Sequence, residues 1–303
     1  MTAARAIEAI VIVNGGSGGG NDQALVDRLQ SLLDGAGVAA SIELAHGGAE
    51  IAAAVERAVA KRPRLIVAGG GDGTVSSVAA ALAGTEIALG VLPLGTLNHF
   101  AKDLGIPADL ADAVAVLAEG RIGRVDVGEV NGRIFVNNSS LGLYPDIVRD
   151  RERQQRRLGR GKWPALVWAT IGALRRYPFM GVSLVVDGKP VSRRTPFVFV
   201  GNNAYAIDGI GLGARARLDE GRLFVYLTPR LRTRDLPLLF AKALIGRARQ
   251  SGEFEIVAAR EVWIHRSRSR RVHVAFDGEV TTMNTPLHFR THPKALRVVR
   301  PGS

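Results

Sequence analysis

The sequence contains no cysteine in 303 residues. This absence excludes disulfide bonds, thiolate metal sites and cysteine nucleophiles, and it agrees with a reducing compartment. Long apolar runs are also missing, because the longest uncharged stretches, 87–101 and 163–174, are too short or too interrupted by glycine and proline to cross a bilayer. The apolar run 9–13 leads straight into glycines, which predicts a buried strand and no signal peptide.

Acidic residues are scarce in the second part of the chain. Residues 1–120 carry 7 basic and 13 acidic side chains, a net charge of −6, whereas 121–303 carry 33 basic and 15 acidic side chains, a net charge of +18. A basic face attracts polyanions, and charge alone does not separate nucleic acid from anionic lipid headgroups. The length favours two domains, and a hydrophobic content of 47% suffices for buried cores.

The pattern of apolar residues divides the chain in the same place. Up to residue 120 it predicts strands at 7–13, 38–44, 64–68 and 87–92 alternating with helices at 22–33, 49–60 and 74–82. Beyond 121 it predicts strands at 133–138, 182–186, 196–200, 223–227, 261–265 and 271–276, with helical insertions at 147–176 and 234–250. We therefore expect an α/β domain with a parallel sheet, followed by an antiparallel β-sandwich domain.

The most informative motif is Gly-Gly-Gly-Asp-Gly-Thr at 69–74, where a predicted strand ends and a predicted helix begins. Glycines at such a junction let backbone N–H groups converge on an anion at a helix N-terminus, as polyphosphate binding requires. Asp72 adds a carboxylate that can hold Mg²⁺ or polarise a phosphate contact. The alternative is a tight turn whose glycines serve only the backbone conformation.

Two more glycine-containing segments, 14–20 and 92–100, also follow predicted strands. The carboxyl ends of parallel strands meet at one edge of a sheet, where ligands of α/β proteins bind, so the three segments together favour a nucleotide site. The glycine spacing does not satisfy G-x-G-x-x-G. No Gly-Lys pair continues into the Ser or Thr of a P-loop, so these two familiar nucleotide motifs are disfavoured.

Five motifs occur in order along the chain: Asn-x-x-Ser-Gly from Asn14, Gly-Gly-Asp-Gly-Thr from Gly70, Pro-x-Gly-Thr-x-Asn from Pro93, Val-Asp-x-Gly from Val125 and Phe-Asp-Gly-Glu from Phe276. In this order the sequence resembles the soluble diacylglycerol kinase and sphingosine kinase family, especially its bacterial lipid-kinase members. The resemblance implies a two-domain kinase with an ATP-binding domain at 1–128 and a β-rich lipid-substrate domain at 129–288. It also implies that the last strand, about 289–300, returns to the first domain.

The resemblance further implies roles for individual residues. The expected nucleotide contacts are Asn14, Ser17, Gly18, Gly70, Gly71, Asp72, Gly73, Thr74, Ser77, Thr96 and Asn98. Asp72 and Asp126 match acidic positions of the family's Mg²⁺ network, and Glu279 matches its general base. Phosphoryl transfer itself requires cation-assisted charge neutralisation and an acceptor for the hydroxyl proton. Without the resemblance, Asp-Gly-Glu at 277–279 would be interpreted as a hairpin turn.

The sequence departs from the family pattern at Gly15, Gly19, His99 and Glu220. His99 stands where the family usually has an acid, so either a neighbouring acid such as Asp103 compensates or the metal affinity is altered. Gly19 removes a cation from the phosphate site, and Gly15 replaces a proline. Glu220 lies in Leu-Asp-Glu-Gly, where some bacterial relatives hold a structural metal with Leu-Asp-Asp-Gly, so it is either a metal ligand or part of an acidic surface turn.

A basic stretch, 149–176, holds eight arginines and one lysine among aromatic and aliphatic residues. This composition is typical of an amphipathic element lying on an anionic membrane. The predicted membrane contacts are Arg153, Arg156, Arg157, Arg160, Trp163 and Trp168. The alternative is a helix with a solvated basic face packed on its own sandwich. Nucleic-acid binding is disfavoured because no helix-turn-helix, zinc-finger or RNA-binding signature accompanies the charge.

These observations and the resemblance predict a cytoplasmic, peripherally membrane-associated lipid kinase that uses ATP and Mg²⁺, with a diacylglycerol-like substrate. An NAD kinase is disfavoured, since the Asn-Glu pair expected on its adenosine-binding segment is not evident. A catalytically weakened nucleotide- or lipid-binding regulator is motivated by His99 and Gly19 and opposed by Asp72, Asp126 and Glu279. The expected partners are ATP, a lipid and an anionic membrane surface, without nucleic acid; the oligomeric state, including a homodimer, stays open.

Overall fold

The computed structural model describes residues 7–16, 22–142, 180–208, 211–212, 214–227, 255–266 and 270–302. The two predicted helical insertions, 147–176 and 234–250, lie outside the described residues. So do the six predicted membrane contacts, Arg153, Arg156, Arg157, Arg160, Trp163 and Trp168.

In the described residues, strands alternate with helices up to residue 119 and strands alone follow from residue 121, as the pattern of apolar residues predicted. The helices are α1 Asp22–Gly35, α2 Gly47–Ala60, α3 Asp72–Leu82, α4 His99–Asp103 and α5 Leu110–Glu119. The strands are β1 Ile7–Asn14, β2 Val38–Ala45, β3 Leu65–Gly70, β4 Ala88–Pro93, β5 Arg121–Val130, β6 Arg133–Phe135, β7 Asn138–Gly142, β8 Met180–Val186, β9 Lys189–Thr195, β10 Phe197–Asn202, β11 Ile207–Asp208, β12 Gly211–Leu212, β13 Leu223–Leu227, β14 Glu255–Ala259, β15 Glu261–Arg266, β16 Arg271–Phe276, β17 Glu279–Asn284 and β18 Leu287–Arg300.

The first four strands make a parallel sheet in the order β2-β1-β3-β4. Every residue of β3 is buried, as expected for a strand covered on both faces. Helices α2 and α3 turn apolar residues toward this sheet, among them Ile51, Val55, Val78 and Leu82. The short connections then place the ends of β1, β3 and β4 along one edge.

Strand β18 runs through both halves of the molecule. Its last residues pair in parallel with β4 and antiparallel with β5, while its first residues pair antiparallel with β15. The pairing with β5 shifts register between His292 and Leu296, and Lys294 within this bulge has a positive φ of 53°. Through β18 the parallel sheet continues into β15, β8 and β9.

A second sheet, entirely antiparallel, has the order β14-β13-β10-β7-β16-β17. It packs against the β8, β15 and β18 portion of the first sheet through one apolar cluster, which includes Leu184, Val198, Val225, Ile264, Val274 and Phe289. The α/β domain followed by an antiparallel sandwich is therefore confirmed.

Some predicted elements differ in extent. The single strand predicted at 133–138 is two strands, because the N–H groups of Val136 and Asn137 donate to the Asp277 carboxylate. Helix α3 begins at Asp72, two residues before the predicted start, and Gly71 is its N-cap. The other predicted elements within the described ranges differ by up to two residues at either end.

Candidate active site

Three loops meet at the carboxyl edge of the parallel sheet, which we call the glycine edge (14–16, 70–74 and 93–98). The register places Val13 beside Gly69 and Gly69 beside Leu92, so β1, β3 and β4 end side by side. Asn14 is the last residue of β1, and the Gly16 N–H donates to Asp22 Oδ1 at 3.0 Å, which holds the first turn against α1. Ser17, Gly18 and Gly19 lie outside the described residues.

The second and third loops pack so closely that a side chain has no room at one glycine of each. A Cβ at Gly70 would lie 2.5 Å from Thr74 Oγ1, and a Cβ at Gly95 would collide with the Cα of Gly71. The N-cap residue of α3 is Gly71, which has no side chain to accept a hydrogen bond from the first turn of the helix. The first N–H groups of α3 are therefore left for an anion, since helix N-termini favour negative charge.

Two hydroxyl residues near the start of α3 face the protein itself. Thr74 is buried against Gly70, and the Ser77 hydroxyl donates to the Gly73 carbonyl at 2.9 Å. Phosphate contacts from this loop would thus come from the backbone of 71–74 more than from these two side chains.

Asp72 opens α3 and is half-buried at the glycine edge. Its Oδ1 accepts the Phe100 N–H at 3.3 Å, which links the second loop to α4. Among the described residues no donor reaches its Oδ2. One carboxylate oxygen is therefore open to a cation.

Asn98 shapes the third loop from within. Its backbone is left-handed, with φ 50°, its Oδ1 accepts the Gly95 N–H at 3.1 Å, and its Nδ2 donates to the Gly95 and Pro93 carbonyls at 2.8 and 3.2 Å. Thr96 is exposed on the same loop, so its hydroxyl is available to a ligand. Asn98 thus acts as a turn-forming residue that presents Thr96.

Glu279 comes to the glycine edge from the other sheet. Strands β16 and β17 are joined by the two-residue loop Asp277-Gly278, in which both residues have positive φ, as in a type I′ hairpin. Glu279 is exposed at the start of β17, and its Oε1 is 3.9 Å from the position of a Cβ at Gly73. The predicted base and the predicted phosphate loop are therefore neighbours.

Asp277 is a residue whose importance the sequence did not reveal. It is 8% exposed, and its carboxylate accepts four hydrogen bonds: from the Ser76 hydroxyl at 2.6 Å, and from the N–H groups of Val136, Asn137 and Asn138 at 2.8, 2.8 and 3.1 Å. Burial raises the pKa of this carboxyl group, and the four donors act in the opposite direction. The Asp-Gly pair predicted the turn, but no local pattern indicated these partners.

Asp126 is buried on β5, and both of its carboxylate oxygens are in use. Oδ2 accepts the Gly221 N–H at 2.6 Å, and Oδ1 accepts the Lys294 N–H at 2.8 Å within the β18 bulge. Glu220 accepts the Ala204 N–H at 3.0 Å. The described residues contain no group of three or more acidic or histidine side chains placed to share a metal ion, so Asp72, Asp126 and Glu220 are not brought together as one ligand set.

Arg215 joins α4 to the second sheet. Its buried guanidinium donates to Asp103 at 2.8 Å, to the Val136 carbonyl at 2.6 Å, to the Asn202 carbonyl at 3.0 Å and to Asn137 Oδ1 at 2.7 Å. Asp103 also accepts the Arg215 N–H at 3.0 Å. The suggestion that Asp103 replaces the acid absent at position 99 is therefore wrong, because Asp103 is committed to Arg215 and is itself buried; His99 is exposed.

An aromatic residue borders this ion pair. The Arg215 guanidinium lies 5.3 Å from the centre of the Tyr205 ring, and the Tyr205 hydroxyl accepts a hydrogen bond from Asn138 Nδ2 at 3.4 Å. Burial of the hydroxyl raises the pKa of Tyr205 to about 12. The Tyr205 hydroxyl therefore stays neutral to a higher pH than an exposed tyrosine would.

Two family models match the chain. The diacylglycerol kinase catalytic domain matches residues 8–130, and the YegS C-terminal NAD kinase beta sandwich-like domain matches residues 146–300, about half of the chain. The first match contains the glycine edge, and the second contains Glu279.

Individual relatives agree with these matches. A "Probable lipid kinase YegS-like" of Pseudomonas aeruginosa PAO1 is 32% identical over 253 residues, which cover 82% of this chain and 80% of that protein. A relative of the same description from Klebsiella pneumoniae strain 342 is 35% identical over 145 residues, 47% of this chain and 48% of that protein. The crystal structure of a diacylglycerol kinase from Bacillus anthracis str. Sterne has a TM-score of 0.71 at 20% identity over 98% of both chains, and shows a shared fold. The chain therefore belongs to the YegS-like family of lipid kinases with a diacylglycerol kinase catalytic domain.

Proposed function

We propose that this protein transfers the γ-phosphoryl group of ATP to the hydroxyl of a diacylglycerol-like lipid. The observation that carries the proposal is the position of Glu279, whose carboxylate reaches the glycine edge from the second sheet and lies 3.9 Å from the Cβ position of Gly73. A carboxylate beside a phosphate-binding loop can accept the proton of an attacking hydroxyl.

The fit of the glycine edge to a polyphosphate supports ATP as the donor. The backbones of Gly71 and Gly95 are so close that a Cβ on Gly95 would collide with Gly71, and the N-terminus of α3 has no side-chain cap. Backbone N–H groups with no competing side chain are the usual ligands of phosphate oxygens.

Asp72 would hold Mg²⁺ at this edge through its open oxygen. When bound, Mg²⁺ neutralises charge on the transferring phosphoryl group and its neighbours. Because Asp126 and Glu220 both accept backbone N–H bonds, we assign them to shaping the loops at 218–221 and 293–295 behind the site.

Glu279 would orient the lipid hydroxyl and remove its proton. Its side chain is exposed, and within the described ranges no donor is bonded to its carboxylate. A free carboxylate of this kind can receive a proton without first breaking an internal hydrogen bond.

The direct test is incubation with labelled ATP, Mg²⁺ and either dioctanoylglycerol, a mixed lipid extract or NAD, followed by identification of the labelled product. We expect label in a lipid. Label in NAD would favour the NAD kinase alternative, and nucleotide binding without any labelled product would favour a regulator.

Replacing the proposed base gives the first prediction. Glu279→Gln should lower single-turnover rates by about 10² to 10⁴, the usual contribution of a general base, with little change in the ATP dissociation constant. Glu119→Gln, at the exposed end of α5, is the matched control and should behave as wild type. If Glu279→Gln leaves turnover unchanged, Glu279 is not the base and residues 277–279 serve only as a hairpin turn.

Access to a lipid substrate needs a membrane-facing surface. Within the described ranges, no helix has both the length and the apolar character to span a bilayer. We assign docking on anionic membranes to the basic stretch 149–176 on its composition, and we propose that the enzyme is cytoplasmic and associates with the membrane peripherally.

Vesicle co-sedimentation tests this assignment. The combined change of Arg153, Arg156, Arg157 and Arg160 to Gln should weaken binding to anionic vesicles by several kcal/mol, at about 1 kcal/mol per arginine near the surface. High salt should reduce wild-type binding in the same way, because the Debye length falls to about 3 Å at 1 M. If wild type and variant bind anionic and neutral vesicles equally, the stretch 149–176 is not the docking surface.

A further inference from the structure

A side-chain hydrogen bond connects the helix of the glycine edge to the hairpin that carries the proposed base. The Ser76 hydroxyl on α3 donates to Asp277 Oδ2 at 2.6 Å. We propose that Asp277 is a positioning residue, which uses this bond to hold Glu279 over the glycine edge. The inference rests on the proposed function and assigns a role to two residues whose side chains are bonded to each other.

The hairpin end of the bond is rigid. Three backbone N–H groups at 136–138 donate to the Asp277 carboxylate, and the Asp277 N–H donates back to the Asn138 carbonyl at 2.9 Å. Asp277 has a φ of 46°, a conformation that aspartate tolerates better than most residues, and Gly278 follows with a φ of 89°. The direction in which the chain enters β17 is therefore set by the Asp277 side chain and its turn.

The helix end of the bond is equally fixed. Ser76 lies one turn after Asp72 on α3, so the two side chains share a helix face. Val75, Val78, Ala79 and Leu82 of the same helix are buried in the core. The Ser76–Asp277 bond thus joins helix α3, which is packed on the parallel sheet, to the β16–β17 hairpin, which belongs to the second sheet.

The position of Glu279 follows from these two constraints. It is the second residue after Asp277, and its Oε1 reaches to 3.9 Å from the Cβ position of Gly73, three residues before Ser76. Without the Ser76 bond, the hairpin keeps its backbone partners at 136–138 but loses this side-chain link to the phosphate loop. A displacement of the reacting groups by about 1 Å can cost about 10²-fold in rate.

A double-mutant cycle in single-turnover experiments tests the idea, with dioctanoylglycerol and ATP as substrates. Ser76→Ala should lower the rate by about 10- to 10²-fold with an unchanged ATP dissociation constant, and Ser76→Thr, which keeps a hydroxyl, should recover most of the rate. In the Glu279→Gln background, Ser76→Ala should have no further effect, because it acts through Glu279. Thr85→Val, which removes a hydroxyl bonded to the Leu82 carbonyl at the other end of α3, is the matched control.

The absence of cysteine from the chain provides a readout that does not depend on activity. In the Gly73→Cys and Glu279→Cys double variant, a short bifunctional thiol reagent should join the two introduced thiols, because the 3.9 Å separation runs to Glu279 Oε1 and a cysteine is shorter than a glutamate. Adding Ser76→Ala should slow that cross-linking several-fold, whereas adding Thr85→Val should not.

The outcomes separate the inference from the proposed function. If Ser76→Ala costs less than twofold, or costs the same with and without Glu279, Asp277 is a structural residue and the inference is overturned while the kinase assignment stands. If Glu279→Gln itself leaves turnover unchanged, the proposed base is wrong and the inference is overturned with it.

Discussion

Two sets of carboxylates lie near the glycine edge, and they differ in their partners. Asp72 and Glu279 face outward with at least one oxygen free of any described donor. The side chains of Asp103, Asp126 and Asp277 are buried, and each accepts two or more hydrogen bonds. A buried carboxylate without partners would cost several kcal/mol, whereas an exposed one can stay available for a cation or a proton.

The comparison indicates that the outward carboxylates serve the chemistry and the buried carboxylates serve the stability of the fold. Changes to the outward set should affect chemistry and leave the fold intact, because those side chains contribute little to packing. Changes to the buried set, or to its partners, should affect stability first, since they leave uncompensated charge or unsatisfied donors inside the protein.

The largest effect is expected for Arg215, whose loss would leave the Asp103 side chain buried without its counter-ion and would remove one donor each from the Val136 carbonyl, the Asn202 carbonyl and Asn137 Oδ1. Arg215→Ala should lower the free energy of unfolding by about 3 to 5 kcal/mol, as is typical when one partner of a buried ion pair is removed. Urea denaturation measures this. Arg217→Ala, at an exposed arginine paired with Asp219, is the control and should change stability by less than about 1 kcal/mol.

Asp72→Ala tests the outward set. Loss of one charge-stabilising group should reduce phosphoryl transfer by about 10² to 10³. The unfolding free energy should fall by no more than about 1.5 kcal/mol, the upper net value of one hydrogen bond, because Asp72 accepts the Phe100 N–H. Activity within about threefold of wild type at saturating Mg²⁺ would contradict the nucleotide-site assignment. A large loss of stability would show that Asp72 behaves like the buried carboxylates.

The smallest effect concerns pH. The pKa of Tyr205 is raised to about 12 in the folded protein, above its ordinary value of 10, so the folded state favours the neutral phenol. Stability from this group is fully present below pH 10 and is lost as the pH rises from 10 toward 12. The difference in unfolding free energy between wild type and Tyr205→Phe should therefore shift by up to about 3 kcal/mol over that range. A difference that is constant with pH would show that the Tyr205 hydroxyl is solvated.

The sequence predicted those features that depend on neighbouring residues. The alternation of strands and helices up to residue 120 and the glycine loops at their ends follow from local patterns, so the parallel sheet was predictable. Asp277 and Arg215 show where this reasoning stops. The partners of Asp277 are at 76 and 136–138, and Arg215 stands between two alanines, so nothing near either residue in sequence reports its contacts.

The path of β18 has a consequence for how the protein is made. The strand that pairs with β4 and β5 ends at Arg300, so the parallel sheet gains this neighbour about 200 residues after β4 has been synthesised. Domains usually fold in the order in which they leave the ribosome, and contacts between distant segments slow folding. Strand β4 therefore lacks its partner β18 until the strands of the second sheet have been synthesised. We expect the glycine edge and the sandwich to complete their folding together, as one cooperative event.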